Sequence, residues 1–187
     1  MLRVVSLIGV PTDIGASRVG CRMGPQALRV AGIVPALEAF GCEVRDLGDL
    51  TGPENPVQPP VNGYRHLPEV AEWNRTLFAA VGAELAENRM PIVLGGDHCL
   101  AIGSIAAVAD HCRRVGKKLR VIWVDAHADF NTAELTPSGN IHGMPVACLA
   151  GHGPQEQLVI SAVDPVPTVV RRVQGDLPDD TECVTGR

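Results

Sequence analysis

Aromatic residues are scarce. Two Trp, one Tyr and three Phe make up 3% of the 187 residues, so a core must rest on Val, Leu, Ile and Ala instead of large rings. Positive charge is also thin, because 16 Lys and Arg stand against 21 Asp and Glu, for a net charge of −5. The basic residues are scattered, without the patch that a phosphate backbone needs, and nucleic acid is not an expected partner. Their densest cluster, Arg113 to Arg120, reads as a solvated helix end ahead of a strand. The apolar start, Met1 to Val10, is too short to span a bilayer. It also lacks the charged start and small-residue cleavage site of a signal peptide. No membrane partner is expected, and the expected location is the cytoplasm. No CxxC pair occurs among Cys21, Cys42, Cys99, Cys112, Cys148 and Cys183. These thiols are expected to stay reduced and to fill space, not to bind zinc. There is no internal repeat.

What is present is a globular balance, with 45% hydrophobic and 20% charged residues. The apolar runs are short and continuous. Leu2 to Val10, Cys42 to Leu47, Pro91 to Leu94 and Leu119 to Val124 read as strands buried on both faces, as in a parallel sheet. Gly24-Pro25 opens a helix that Pro35 breaks or restarts. Pro68 opens a longer one, with Val70, Trp73, Leu77, Val81 and Leu85 at three- and four-residue steps. A third, from about Leu100 to Val115, is expected to bury Leu100, Ile105, Val108 and Cys112. Thr51 to Gly63, with four prolines, must be a loop. The order β-α-β-α-β-α-β predicts an α/β fold with a three-layer αβα, doubly wound parallel sheet. Residues 1–152 read as one domain. Residues 153–187 lose periodicity and read as an atypical tail, disordered or frameshifted after about His152, with only Leu158 to Val163 suited to a strand.

Two motifs carry chemistry. Asp125, His127 and Asp129 place three metal-ligand types at every second residue after an apolar strand. In an extended chain they would point to one side. Gly95-Gly96-Asp97-His98 follows the preceding strand in the same way. Both sit at carboxyl ends of parallel strands, where open α/β sheets bind ligands. The donor types suit Mn2+, and Zn2+ remains compatible. The competing reading of Asp125 to Asp129 is a polar turn whose carboxylates cap a helix. Asp97 reads equally as a group orienting a ligand or as a helix cap. Asp13 and Arg18, in the loop after the first strand, read as substrate contacts or as loop structure.

GGDH at 95–98, VDAHAD at 124–129, NTAELTPSGNIHG at 131–143 and the opening IGVPTDIGASRVGCRMGPQALR resemble the signatures of the arginase family of ureohydrolases. The resemblance spans about residues 2 to 152. It implies an arginase-like sheet and Mn2+-dependent hydrolysis of the L-arginine guanidinium to L-ornithine and urea by a metal-bridging hydroxide. His98, Asp125, His127 and Asp129 match four manganese ligands, with Asp125 bridging two ions. Asn131, Ser138 and Asn140 match residues that recognise the substrate α-carboxylate, directly or through water. His142 matches a proton-shuttling histidine. The Asn131 to His142 loop distinguishes arginases from agmatinases, whose substrate has no carboxylate. The resemblance also implies a homo-oligomer and a place in arginine metabolism.

The family's second metal motif, Ser-x-Asp-x-Asp, has no match. Ser161-Ala162-Val163-Asp164-Pro165 has the wrong spacing, and Asp176, Asp179 and Asp180 lie outside any expected strand. The sheet is therefore expected to be incomplete at the C-terminus. Two alternatives accompany arginase: a catalytically incomplete fragment, and another ureohydrolase such as agmatinase.

Overall fold

A computed structural model describes residues 3–154. The strand expected at Leu158 to Val163, Cys183, the aspartates of the tail and nearly all of the 153–187 segment lie outside the described residues.

Three parallel strands form the sheet in the order β2-β1-β3. They are β1 (Arg3–Val10), β2 (Cys42–Asp49) and β3 (Met90–Gly95). β1 is central, with Val5 to Leu7 facing Val44 to Asp46 on one side and Met90 to Ile92 on the other. Alternation along β1 feeds two cores. Val5 and Leu7 pack with Leu94 beneath Ile33, Val34 and Leu37 of α2 (Ile33–Ala39). Ile8 and Val10 face the other way, toward α3 (Leu67–Ala86) and α4 (Ala101–Arg114). The helices thus cover both faces, as the pattern of runs predicts.

Local chemistry sets the helices. α1 (Gly24–Val30) has a proline in its first turn, where no N–H is needed. The break before α2 falls at Gly32, with φ 86°, and Pro35 sits in the restarted first turn. α3 buries Val70, Trp73, Leu77 and Val81 at the expected spacing, with Leu85 half-buried against the same core. α4 differs from expectation. It buries Ile102, Gly103, Ala106, Ala107 and Ala109, whereas Ile105, Val108 and Cys112 are only half-buried. Small residues let α4 approach α3 closely: a Cβ on Gly103 would lie 2.4 Å from the Asn74 carbonyl.

The fourth strand does not form. Leu119 to Val124 is unpaired, and Ile122 and Val124 are 82% and 92% exposed. A strand exists only through ladder partners. Among the described residues, β3 is paired with β1 alone. The basic cluster accordingly ends a helix without leading into a strand.

The chain leaves β1 toward α1 and α2 on one face, and leaves β3 toward α4, packed on α3, on the other. This makes a topological switch point at the carboxyl ends of β1 and β3. The two exits are stitched together by backbone hydrogen bonds from Gly96 to Val10 (3.1 Å) and from Asp97 to Thr12 (2.9 Å). No helix among the described residues is long and apolar enough to cross a membrane.

Candidate metal centre

Asp97 begins the site by closing the exit from β3. Its Oδ1 accepts from the Cys99 N–H at 2.8 Å and caps the turn His98–Leu100, while Oδ2 accepts from the Gly15 N–H at 2.6 Å. The helix-cap reading of Asp97 therefore holds. His98 follows at the mouth of the crevice, its side chain 45% exposed.

His98, Asp125 and Asp129 each offer a ligand atom, and these atoms all lie within 4.8 Å of one another. His98 Nδ1 is 3.8 Å from Asp129 Oδ2, and Nε2 is 4.0 Å from Asp125 Oδ2. The chain does not stay extended here. Asp125 Oδ1 accepts from the His127 N–H at 2.8 Å, a local turn that aspartate favours. Asp129 has φ 49°, a conformation that Asp tolerates better than most residues. The bend brings the two carboxylates together and turns His127 outward, its side chain 82% exposed and its Nδ1 3.3 Å from Asp125 Oδ1. The carboxylates converge with His98 as the metal reading requires and the chain bends as the polar-turn reading requires, but among the described residues neither carboxylate caps a helix and no strand precedes the motif.

The two carboxylates sit in different electrostatic settings. The His127 N–H, with help from His98, holds Asp125 below its ordinary value. Burial pushes Asp129 up, and the charge of Asp125 adds to this, while His98 and the Trp123 N–H oppose it. Trp123 was not singled out by the motifs. Its Nε1 donates to Asp129 Oδ2 at 3.1 Å, and its ring meets His98 edge-on at 6.0 Å. The available signal was an indole donor next to a carboxylate-rich run. His142 stacks on His98 with centroids 5.4 Å apart. One imidazole and two carboxylates around one point could hold a divalent metal ion.

Of the other expected residues, Asn131 is exposed and its backbone N–H donates to Gly143 at 3.0 Å. Ser138 is half-buried, its hydroxyl accepting from the Asn140 N–H at 3.3 Å. Asn140 is 8% exposed, with its side chain bonded to Arg65 and Ser17. Asp13 is buried and ties its own loop to the 51–63 stretch, accepting from the Gly20 N–H and the Asn55 amide. Arg18 is exposed. Cys99 and Cys148 are buried core thiols, as expected of space fillers, whereas Cys42 and Cys112 are half-buried and Cys21 is exposed, so the expectation fails for Cys21. Burial holds Cys99 well above the ordinary thiol value and pushes Cys148 up to about 12.

Residues 3–168 match the sequence profile of the Arginase family. The chain belongs to the arginase family. It is 47% identical over 154 residues to the arginase of Bacillus caldovelox, an alignment that takes in 81% of this chain and 50% of that one. The native crystal structure of the Bacillus caldovelox arginase superposes with a TM-score of 0.79 at 44% identity, covering 88% of this chain and 54% of that one. An Entamoeba histolytica arginase in complex with L-ornithine gives 0.80 at 37% identity, covering 89% and 56%. The agmatine ureohydrolase of Thermoplasma volcanium, at 22% identity, 0.54, and coverage of 88% and 48%, shows the fold alone. This arginase-family chain spans about half the length of the relatives it matches.

Proposed function

We propose that this chain serves hydrolysis of the L-arginine guanidinium to L-ornithine and urea, as an arginase, with Mn2+ as its metal. The observation that carries the reading is the grouping of His98, Asp125 and Asp129 within 4.8 Å at the crevice of an arginase-family sheet. These three residues would hold one ion, with His127, on the same bend, as the candidate ligand of a second. Bound Mn2+ would supply Lewis acidity and a lowered pKa for a coordinated water.

The chain's own residues do the rest. Asn131 and Ser138 can hydrogen-bond a carboxylate, with Asn140 in the same loop, and so favour L-arginine over its decarboxylated analogue by geometry. As water oxygen adds to the guanidinium carbon and the bond to the ornithine nitrogen breaks, that nitrogen needs a proton. His142, beside His98, is the proposed donor, through a ring nitrogen. Cytoplasmic arginine metabolism, including the urea cycle, is the proposed setting, and a homo-oligomer the proposed assembly.

A second reading, a catalytically incomplete chain that binds a single ion, is favoured by the count of grouped donors among the described residues: three suffice for one ion and not for two. Urea release from L-arginine and from agmatine by the Mn2+-loaded chain decides. Release from L-arginine alone is expected. Release from agmatine instead would mark an agmatinase, and none from either, with one Mn2+ bound, would leave the incomplete chain.

A further inference from the structure

The loop that carries Ser138 and Asn140 is held by more than its own internal hydrogen bonds. It lies against the proline-rich stretch 51–63, so closely that a Cβ on Gly139 would stand 2.6 Å from Pro60 and one on Gly63 2.6 Å from the Ala133 carbonyl. One side chain ties these two segments together. Arg65 Nε donates to Asn140 Oδ1 at 2.9 Å, one terminal nitrogen donates to the Gln58 carbonyl at 2.8 Å, and the other to the Ser138 carbonyl at 3.4 Å. Its backbone N–H adds a bond to the Gly139 carbonyl at 2.8 Å.

The next residue anchors the fork. His66 is buried at φ 52°. Its Nδ1 donates to the Ile14 carbonyl at 2.9 Å, which leaves Nε2 to accept the Gln58 N–H at 3.0 Å. The loop after β1 is thereby linked to the same junction. It also supplies Ser17, whose hydroxyl accepts from Asn140 Nδ2 at 3.1 Å. Both ends of the Asn140 amide are engaged inside the protein. Ser138 differs, because its hydroxyl accepts from the Asn140 N–H and keeps its own hydrogen to donate.

We propose that Arg65 is a positioning residue that sets the carboxylate-reading loop through Asn140, and that Asn140 acts as the internal post of that loop while Ser138 meets the substrate. The proposal rests on the arginase reading for the identity of the carboxylate, but not for the fork itself. A guanidinium is required, because three acceptors in three directions need a planar fork of donors and a single ammonium cannot span them.

The test compares the wild-type chain with Arg65→Ala and Arg65→Lys. Calorimetry with Mn2+-loaded protein reads the binding of L-ornithine and of agmatine, and amide hydrogen exchange reads residues 136–143 without ligand. In both variants L-ornithine affinity is expected to fall about tenfold while agmatine affinity stays within about twofold. Exchange at residues 138–142 is expected to speed up about tenfold, with β1 and α3 unchanged. Equal losses for both ligands would reduce Arg65 to a general prop and overturn the proposal, as would unchanged exchange. If the wild-type chain binds neither ligand, the arginase reading fails, and exchange alone decides whether Arg65 holds the loop. If Arg65→Ala does not fold, Arg65→Lys carries both measurements.

Discussion

Asp129 takes a left-handed backbone angle, and with the Asp125 turn just before it this turns an alternating motif into a bend. Alternation predicts that Asp125, His127 and Asp129 share a side. The bend instead gathers the first and third and sends the second outward. Ligand types were legible from the sequence, but the backbone angle that chooses among them was not, because Asp is one of the few residues that populate both regions. A Mn2+ titration separates the three. Asp129→Asn, at a buried carboxylate, is expected to weaken the first equivalent by at least about tenfold. His127→Ala is expected to leave that equivalent within about threefold and to weaken only a second. Loss of the first equivalent in His127→Ala would show that its ring swings into the group.

Elements were legible where one side chain per turn announces a face. α3 carries Val70, Trp73, Leu77 and Val81 in register, and its buried side follows them. α4 hides its face behind small residues. Gly103, Ala106 and Ala107 contribute little hydrophobicity to a pattern, yet they are the buried face, with Gly103 allowing the close approach to Asn74 of α3, and the larger Ile105 and Val108 are only half-buried. Leu119 to Val124 has the composition of a buried strand, but a strand is a relation between chains of hydrogen bonds and composition supplies only one side of it. Junctions between elements are subtler still. The exits from β1 and β3 meet so tightly that a Cβ on Gly96 would lie 1.9 Å from the Thr12 carbonyl, whereas nothing lies within 4 Å of one on Gly82 in α3. Gly96→Ala is expected to cost about 3 kcal/mol of folding stability. Gly82→Ala is expected to add roughly 0.5–1 kcal/mol through helix propensity. Chemical denaturation of both variants checks the pair, and equal effects would mean that the junction can relax.

At the scale of the whole molecule, ion pairs among the described residues fasten each side of the sheet. On one side Arg29 of α1 bonds Asp46 of β2 at 2.7 Å and Asp49 at 2.5 Å. On the other, Glu84 of α3 accepts from Arg89 at 2.6 Å and from Ser6 of β1 at 2.5 Å. Arg29 lowers Asp46 below its ordinary 3.8, and Arg89 with Ser6 lowers Glu84 below 4.5. The folded chain therefore binds fewer protons than the unfolded chain at these groups. Their stabilisation is complete above the ordinary values and fades as pH falls through the lowered ones. Thermal melts should show a constant midpoint from pH 7 to about 5 and a decline below about 4.5. The double variant Glu84→Gln, Asp46→Asn should start lower and decline less steeply. A parallel decline would place the acid sensitivity elsewhere. The same fold also sorts its two indoles into opposite optical settings. Trp73 is 4% exposed and donates to the Pro53 carbonyl, a dry and rigid place for an emitter. Trp123 stands edge-on to the His98 imidazole with its N–H on the Asp129 carboxylate, so whatever occupies the crevice changes its surroundings. The protein's own fluorescence is thus a two-channel instrument, one chromophore reading the mouth of the crevice and the other serving as its internal standard.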